Sequence, residues 1–307
     1  MGLREMTPER NPSDQSSSQS YGSTTMREMT PDDATCLSEG AFRELCGTGA
    51  VRLEGRAVVL EAPIKVNANE TLSIVGPGSI VGSGHSLFQV GGRAQPFGLR
   101  LRRIALRHVG SPARRAERSL GACVFALGKG VVDAEDCDLR SECGFAVWLK
   151  QRAVCRLRNC RLAAARADVA VFNFSAVRLH ACDVADAHPH GICARGCARV
   201  DVEASTIRNA GVRGVYAYMS PTVALKDVVV SGTRDPTAAA VQVEALRPGD
   251  AATLALDGLR LDANAGRGVA VAGRVDVTQA AAPVLVHRAA ATGRYAFGEG
   301  RPRNPCM

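Results

Sequence analysis

Aromatic residues are scarce: they make up 4% of the 307 residues, with a single Trp, whereas hydrophobic residues make up 46%. A core made from this chain must therefore be assembled from Val, Leu and Ala. Small and β-branched side chains suit a thin, repetitive core better than a large globular one. No apolar run approaches the about 18 residues needed to span a bilayer. The opening residues are polar and lack the apolar segment of a secretory signal. Position six is Met6, which excludes the Ser or Thr of a myristoylation signal after Gly2. These absences lead to the expectation of a cytoplasmic protein, in which the 11 cysteines are free thiols rather than disulfides. Metal-ligand spacing is missing as well. Cys193 and Cys197 are four apart, but no second pair and no His pair follows. Neither a metal nor a cofactor is expected.

The net charge of +8 is unevenly spread. Residues 1–33 carry Arg4, Arg10 and Arg27 against Glu5, Glu9, Asp14, Glu28, Asp32 and Asp33, among Ser, Pro and Gln. Such a segment cannot offset the entropy of ordering and is expected to be a disordered tail. The string REMTP occurs twice, from Arg4 and from Arg27, which a short duplication or a start at Met26 would explain. Residues 34–50 read as an amphipathic cap. Ser38 is suited to the N-cap, Phe42, Leu45 and Cys46 share one face, and Gly47 and Gly49 end the helix.

From Val66 onward, short alternating strands are broken by Gly, Asn, Asp and Ser, and a period of about 23 residues emerges. The segments AEDCDL (from Ala134), LRNCRL (Leu157), LHACDV (Leu179), VEASTI (Val202) and LKDVVV (Leu225) superpose at offsets of 23, 22, 23 and 23. A second family runs CVFAL (Cys123), AVWLK (Ala146), VAVFN (Val169), ICAR (Ile192), VYAYM (Val215), VQVEA (Val241) and VAVAG (Val269). Together with the segment ETLSIVGPGSIVGSGHSLFQV from Glu70 and the turns at His190–Ile192 and Arg213–Val215, this resembles the right-handed β-helix of the pectin lyase-like superfamily. The expected fold is all-β: a right-handed parallel β-helix of about seven or eight coils over residues 51–287. A short N-terminal helix caps it, and residues 288–307 form a loose end.

Stacked coils place equivalent residues in columns about 4.8 Å apart. Cys137, Cys160 and Cys182, then Ser205, Val228 and Leu259, form one inward column, where cysteine serves as a small hydrophobe. Outward columns read Arg100, Asp133, Arg156, Arg178, Asp201, then Arg102, Glu135, Arg158, His180, Glu203, Lys226, and Asp138, Arg161, Asp183. Signs mostly alternate, which marks a device for fixing register rather than a cation or acid–base cluster. Charge reversal at Arg158 is then expected to destabilise the fold. Arg156 beside Arg178 breaks the alternation and could hold an anion.

On the second strand family the outward columns are expected to be Val124, Val147, Ala170, Cys193, Tyr216, Gln242 and Ala126, Leu149, Phe172, Arg195, Tyr218, Glu244. Phe125, Trp148 and Val171 then point inward with Cys123, Ala146, Val169, Ile192 and Val215. An apolar exterior strip must be covered or used. Phe172, Arg195, Tyr216, Tyr218 and Glu244, with His190 and Arg213 at the turn edge, make the candidate binding site. The resemblance implies acidic calcium ligands and an Arg base in a pectate lyase, or paired Asp with a Gly-His-Gly turn in a polygalacturonase. Here Glu244 stands alone. Asp168 is the nearest second carboxylate, and the string His188-Pro189-His190-Gly191 lacks the leading Gly. The leading expectation is a non-catalytic intracellular β-helix scaffold that binds a protein partner through this face. The alternative is a carbohydrate-binding or carbohydrate-active protein, of polysaccharide lyase or glycoside hydrolase type, using the same face. A homo-oligomer contact through the apolar strip stays open. Nucleic-acid binding through Arg114, Arg115 and Arg118 lacks interleaved aromatics.

Overall fold

The computed structural model describes residues 36–66, 71–92, 97–110, 121–280 and the backbone of the strand Val286–Ala289. The tail, the basic loop at Arg114–Arg118 and the end of the chain lie outside the described residues.

The chain winds as the expected all-β parallel helix, and strands equivalent from coil to coil form three parallel sheets of ten, nine and ten members. The coil Gly130–Glu135, Asp138–Ser141, Phe145–Gln151 contributes one strand to each, here called sheets I, II and III in that order. Nine complete turns result, more than the seven or eight expected. The first turn, Ala50–Arg52, Ala57–Leu60 and Ile64–Val66, precedes the Glu70 segment that reads as the opening coil and has no member of the cysteine column. The cap is the helix α1, Glu39–Gly47. Ser38 Oγ accepts from the Ala41 amide, and Phe42 is fully buried against the first coil.

Between sheets I and II six coils turn on one non-glycine residue in the left-handed region. Arg103, Asp136, Asn159, Ala181, Ala204 and Asp227 have φ between +48° and +55°. Asn and Asp tolerate that region best. Asn159 also donates to Asp136 across coils at 3.3 Å, so the corner carries its own short side-chain ladder.

The interior consists of columns of Val, Leu, Ile and Ala. Cys137, Cys160, Cys182 and Ser205 stack as expected, each 2–3% exposed, and every described cysteine is a free thiol. The charge ladder has the register read from the sequence: Arg100, Asp133, Arg156, Arg178 and Asp201 pair in succession across sheet I, as do Arg102, Glu135, Arg158, His180 and Glu203. Ion pairs join Arg156 to Asp133 (3.1 Å), Arg102 to Glu135 (3.1 Å), Arg178 to Asp201 (3.6 Å) and Lys226 to Glu203 (2.8 Å). Arg158 has no ion pair among the described residues, because Glu135 is taken by Arg102. The stabilising role expected of Arg158 therefore falls to its neighbours.

Candidate functional site

The outer face of sheet III differs from expectation in its first coils. Val147 pairs with Val169, 22 residues on, whereas Val124 pairs with Val147 and Val169 with Ile192, each 23 on. A uniform offset of 23 slips the register by one residue, and a one-residue slip exchanges the two faces of a strand. The true outward column is Phe125, Trp148, Ala170, Cys193, Tyr216, Gln242. Val124, Ala126, Val147 and Leu149 belong to the core instead, each without exposure. The offset of 22 was visible in the cysteine family of the same coil, so the shift was legible there.

The corrected register gathers Phe125, Phe145, Trp148, Phe172, Tyr216 and Tyr218 on one surface. The Phe125 and Trp148 rings lie 4.8 Å apart, and the Phe145 and Trp148 rings 5.2 Å apart. Lys150 Nζ sits 4.1 Å from the Trp148 ring centroid, a cation–π contact, and burial lowers the pKa of its ammonium. Phe145, Ala170, Phe172 and Cys193 form an apolar cluster outside the core, with Phe125, Trp148, Tyr216 and Tyr218 packed on it. Ala170 and Cys193 have no exposure although they face outward.

Of the seven expected site residues, Phe172 is part of this cluster, Tyr216 and Tyr218 pack on it, and His190, Arg195, Arg213 and Glu244 lie on the same strands or the coils that follow. His190 pairs with Arg213 at the start of their strands, and Phe172, Arg195, Tyr218 and Glu244 follow one another in register. The Tyr216 and Tyr218 rings stack at 5.1 Å and 23°. The guanidinium of Arg213 lies 4.6 Å from the Tyr216 centroid, and that of Arg195 lies 5.8 Å from the Tyr218 centroid. Tyr216 Oη donates to Glu244 at 3.1 Å, Gln242 donates to the other Glu244 oxygen, and Arg213 Nε donates to Gln242 at 2.6 Å. Burial first, then the Glu244 carboxylate, pushes the Tyr216 phenol up, so it stays protonated and remains a donor. His190 is 4% exposed, and burial with the nearby Arg213 charge brings its pKa down to about 3, leaving the imidazole neutral.

The second carboxylate is withdrawn from solvent. Asp168 is fully buried, and desolvation pushes its carboxyl well above the usual carboxylate range. Glu244 therefore stands without an acidic partner on the strip, and it is itself only 7% exposed within its hydrogen bonds. Among the described residues, no group of three or more His, Cys, Asp and Glu side chains is arranged to hold a metal ion.

One polar cluster went unread in the sequence. His108 is fully buried, with Nδ1 2.8 Å from Ser141 Oγ, which in turn accepts from the Gly144 amide at 3.0 Å. Cys143 Sγ lies 3.7 Å from the same Nδ1. The only signal was the pairing of His108 with Ser141 in adjacent coils, which requires the register first. No helix among the described residues is long and apolar enough to cross a membrane.

The family model described as right handed beta helix region matches residues 118–279. No curated protein matches the chain. Among solved structures, the chain is similar to the A-module of mannuronan C-5 epimerase AlgE4 from Azotobacter vinelandii. The identity is 9%, over 82% of this chain and 95% of that one, with a TM-score of 0.35. It is also similar to tailspike protein 3 of bacteriophage CBA120, at 11% identity over 81% of this chain and 56% of that one, with a TM-score of 0.20.

Proposed function

The chain belongs to the right-handed β-helix family, and on that premise we propose that it is a non-catalytic scaffold that binds a protein partner through the outer face of sheet III. The observation that carries this reading is the state of the ionisable groups there. Glu244 is held by Tyr216 and Gln242, His190 is buried and neutral, and Asp168 is fully buried. Hydrolysis of a glycosidic bond by the usual route needs two carboxylates flanking the bond, and this face offers one. Trp, Tyr and Arg, by contrast, are the side chains enriched among those that carry most of the binding energy in protein interfaces. Trp148, Tyr216 and Tyr218 pack on the Ala170–Cys193 cluster, and Arg195 and Arg213 lie against the two Tyr rings. A reducing, cytoplasmic setting agrees with the free thiols and is part of the proposal.

A carbohydrate ligand on the same face is the second reading. The stacked Tyr216–Tyr218 pair, with a guanidinium beside each ring, is a surface on which a sugar ring can stack and hydrogen-bond. One comparison separates the two. The full chain and a Tyr216→Ala, Tyr218→Ala double variant are tested on a polysaccharide array and in affinity capture. A protein retained by the wild type and lost with the double variant, without array binding, supports the scaffold. Array binding lost with the double variant moves the assignment to a polysaccharide. Turnover of any array polysaccharide overturns the non-catalytic reading.

A further inference from the structure

The outer face of sheet I carries a groove of about 520 Å³, lined by Ser73, Val75 and the two charge columns from Arg100 and Arg102 to Arg178 and His180. Five of its lining side chains are Arg and two are acidic. In most of the ladder each base faces a carboxylate on the next coil. Two adjacent strands break that rule: Arg156 pairs in register with Arg178, and Arg158 with His180. Four basic side chains thus occupy a patch one strand spacing wide, about 4.8 Å, and two residues long, about 7 Å.

The carboxylates that serve this patch sit on its borders. Arg156 reaches back to Asp133, Arg178 reaches forward to Asp201, and His180 lies 3.7 Å from Glu203. The centre is left with Arg158, which has no partner among the described residues. Like charges on neighbouring strands repel, so a patch of this kind costs the fold some stability unless an anion occupies it. Three guanidinia and an imidazole offer more donors than one carboxylate can accept. A phosphate monoester, with three terminal oxygens and a charge near −2, matches them. Guanidinium forks also suit the geometry of a phosphate. No aromatic ring lines the groove, so the stacking on which single-stranded nucleic acid depends is lacking.

We propose that Arg156, Arg158, Arg178 and His180 form a binding site for a phosphate monoester, with the Arg100 end of the groove accommodating the group that carries it. This site is on a different sheet from the aromatic face and stands or falls independently of it.

The test is a phosphorus NMR titration of the full chain with inorganic phosphate, O-phosphoserine and glycerol 3-phosphate. Arg158→Gln is the deciding variant, since Arg158 makes no ion pair and its loss should leave the melting temperature in place. Arg260→Gln, on sheet II, is the control. Saturable binding, weakened at least tenfold by Arg158→Gln and unchanged by Arg260→Gln, supports the site. Preference for O-phosphoserine indicates a phosphorylated protein as the source. Preference for glycerol 3-phosphate indicates a lipid headgroup, and equal binding of inorganic phosphate indicates the free ion. Absence of saturable binding overturns the proposal. So does competition by acetate as effective as by phosphate, or binding that survives in Arg158→Gln.

Discussion

Among the described residues His108, His190, Asp168 and six cysteines are withdrawn from solvent, and the withdrawal has measurable consequences. His108 and His190 are held neutral, with burial bringing their pKa values down from 6.5 to about 4 and about 3. In the unfolded chain both take a proton near the ordinary imidazole pKa. The unfolded state therefore binds more protons as pH falls through that range, and stability must drop. The melting temperature is expected to fall steadily between about pH 7 and pH 5, before surface carboxylates titrate. A flat profile there would contradict the burial of both rings. The thiols offer a second check. The hydrogen bond with Cys137, and then burial, raise the pKa of Cys160 to about 12, and burial raises that of Cys155. Native titration with a thiol reagent is expected to label the exposed Cys36 and Cys197 quickly and to reach Cys123, Cys137, Cys155, Cys160, Cys182 and Cys193 only after unfolding. A pair that stays unreactive in denaturant would reveal a disulfide.

At the level of strands and columns, charge pattern and packing repeat can be read separately, and the sequence revealed them unequally. The ladder on sheet I was legible because its members are long, charged and alternate in sign, so a shift of one residue would have destroyed the alternation. Asp133 lies between Arg100 and Arg156. Asp133→Arg would put four like charges in succession, from Arg100 to Arg178, and urea denaturation is expected to show a loss of about 0.4–2 kcal/mol, twice the value of one cross-strand pair. An unchanged midpoint would mean that the ladder is ornamental. On sheet III the same reasoning failed for Phe125 and Trp148, because Val, Ala, Phe and Trp are all apolar and give no sign of which face they occupy. Only the count of 22 residues from Val147 to Val169 distinguishes the faces. Of the candidate site, Tyr216, Tyr218, Arg195 and Glu244 were placed outward from sequence, since polar atoms mark the outer face. The hydrogen bonds that immobilise Glu244 depend on side-chain conformation, which no repeat encodes.

As a whole, the molecule is a stack whose every coil is supported mainly by the coils on either side, so its ends matter more than its middle. The helix α1 closes one end with Phe42, which has no exposed surface. Phe42→Ala is expected to cost about 3–5 kcal/mol, the range for a buried Phe, and to lower the urea midpoint. A loss under about 1 kcal/mol would remove the capping role. The same one-dimensional architecture governs the response to mechanical load. Strands in register run across the long axis, so tension applied to the two ends peels the stack rather than shearing it. Each coil of about 23 residues, once detached, pays out roughly 76–83 Å of chain at 3.3–3.6 Å per residue. An optical trap would record the molecule as a ratchet of nearly equal steps, with the force of each step reporting the grip of one coil on the next.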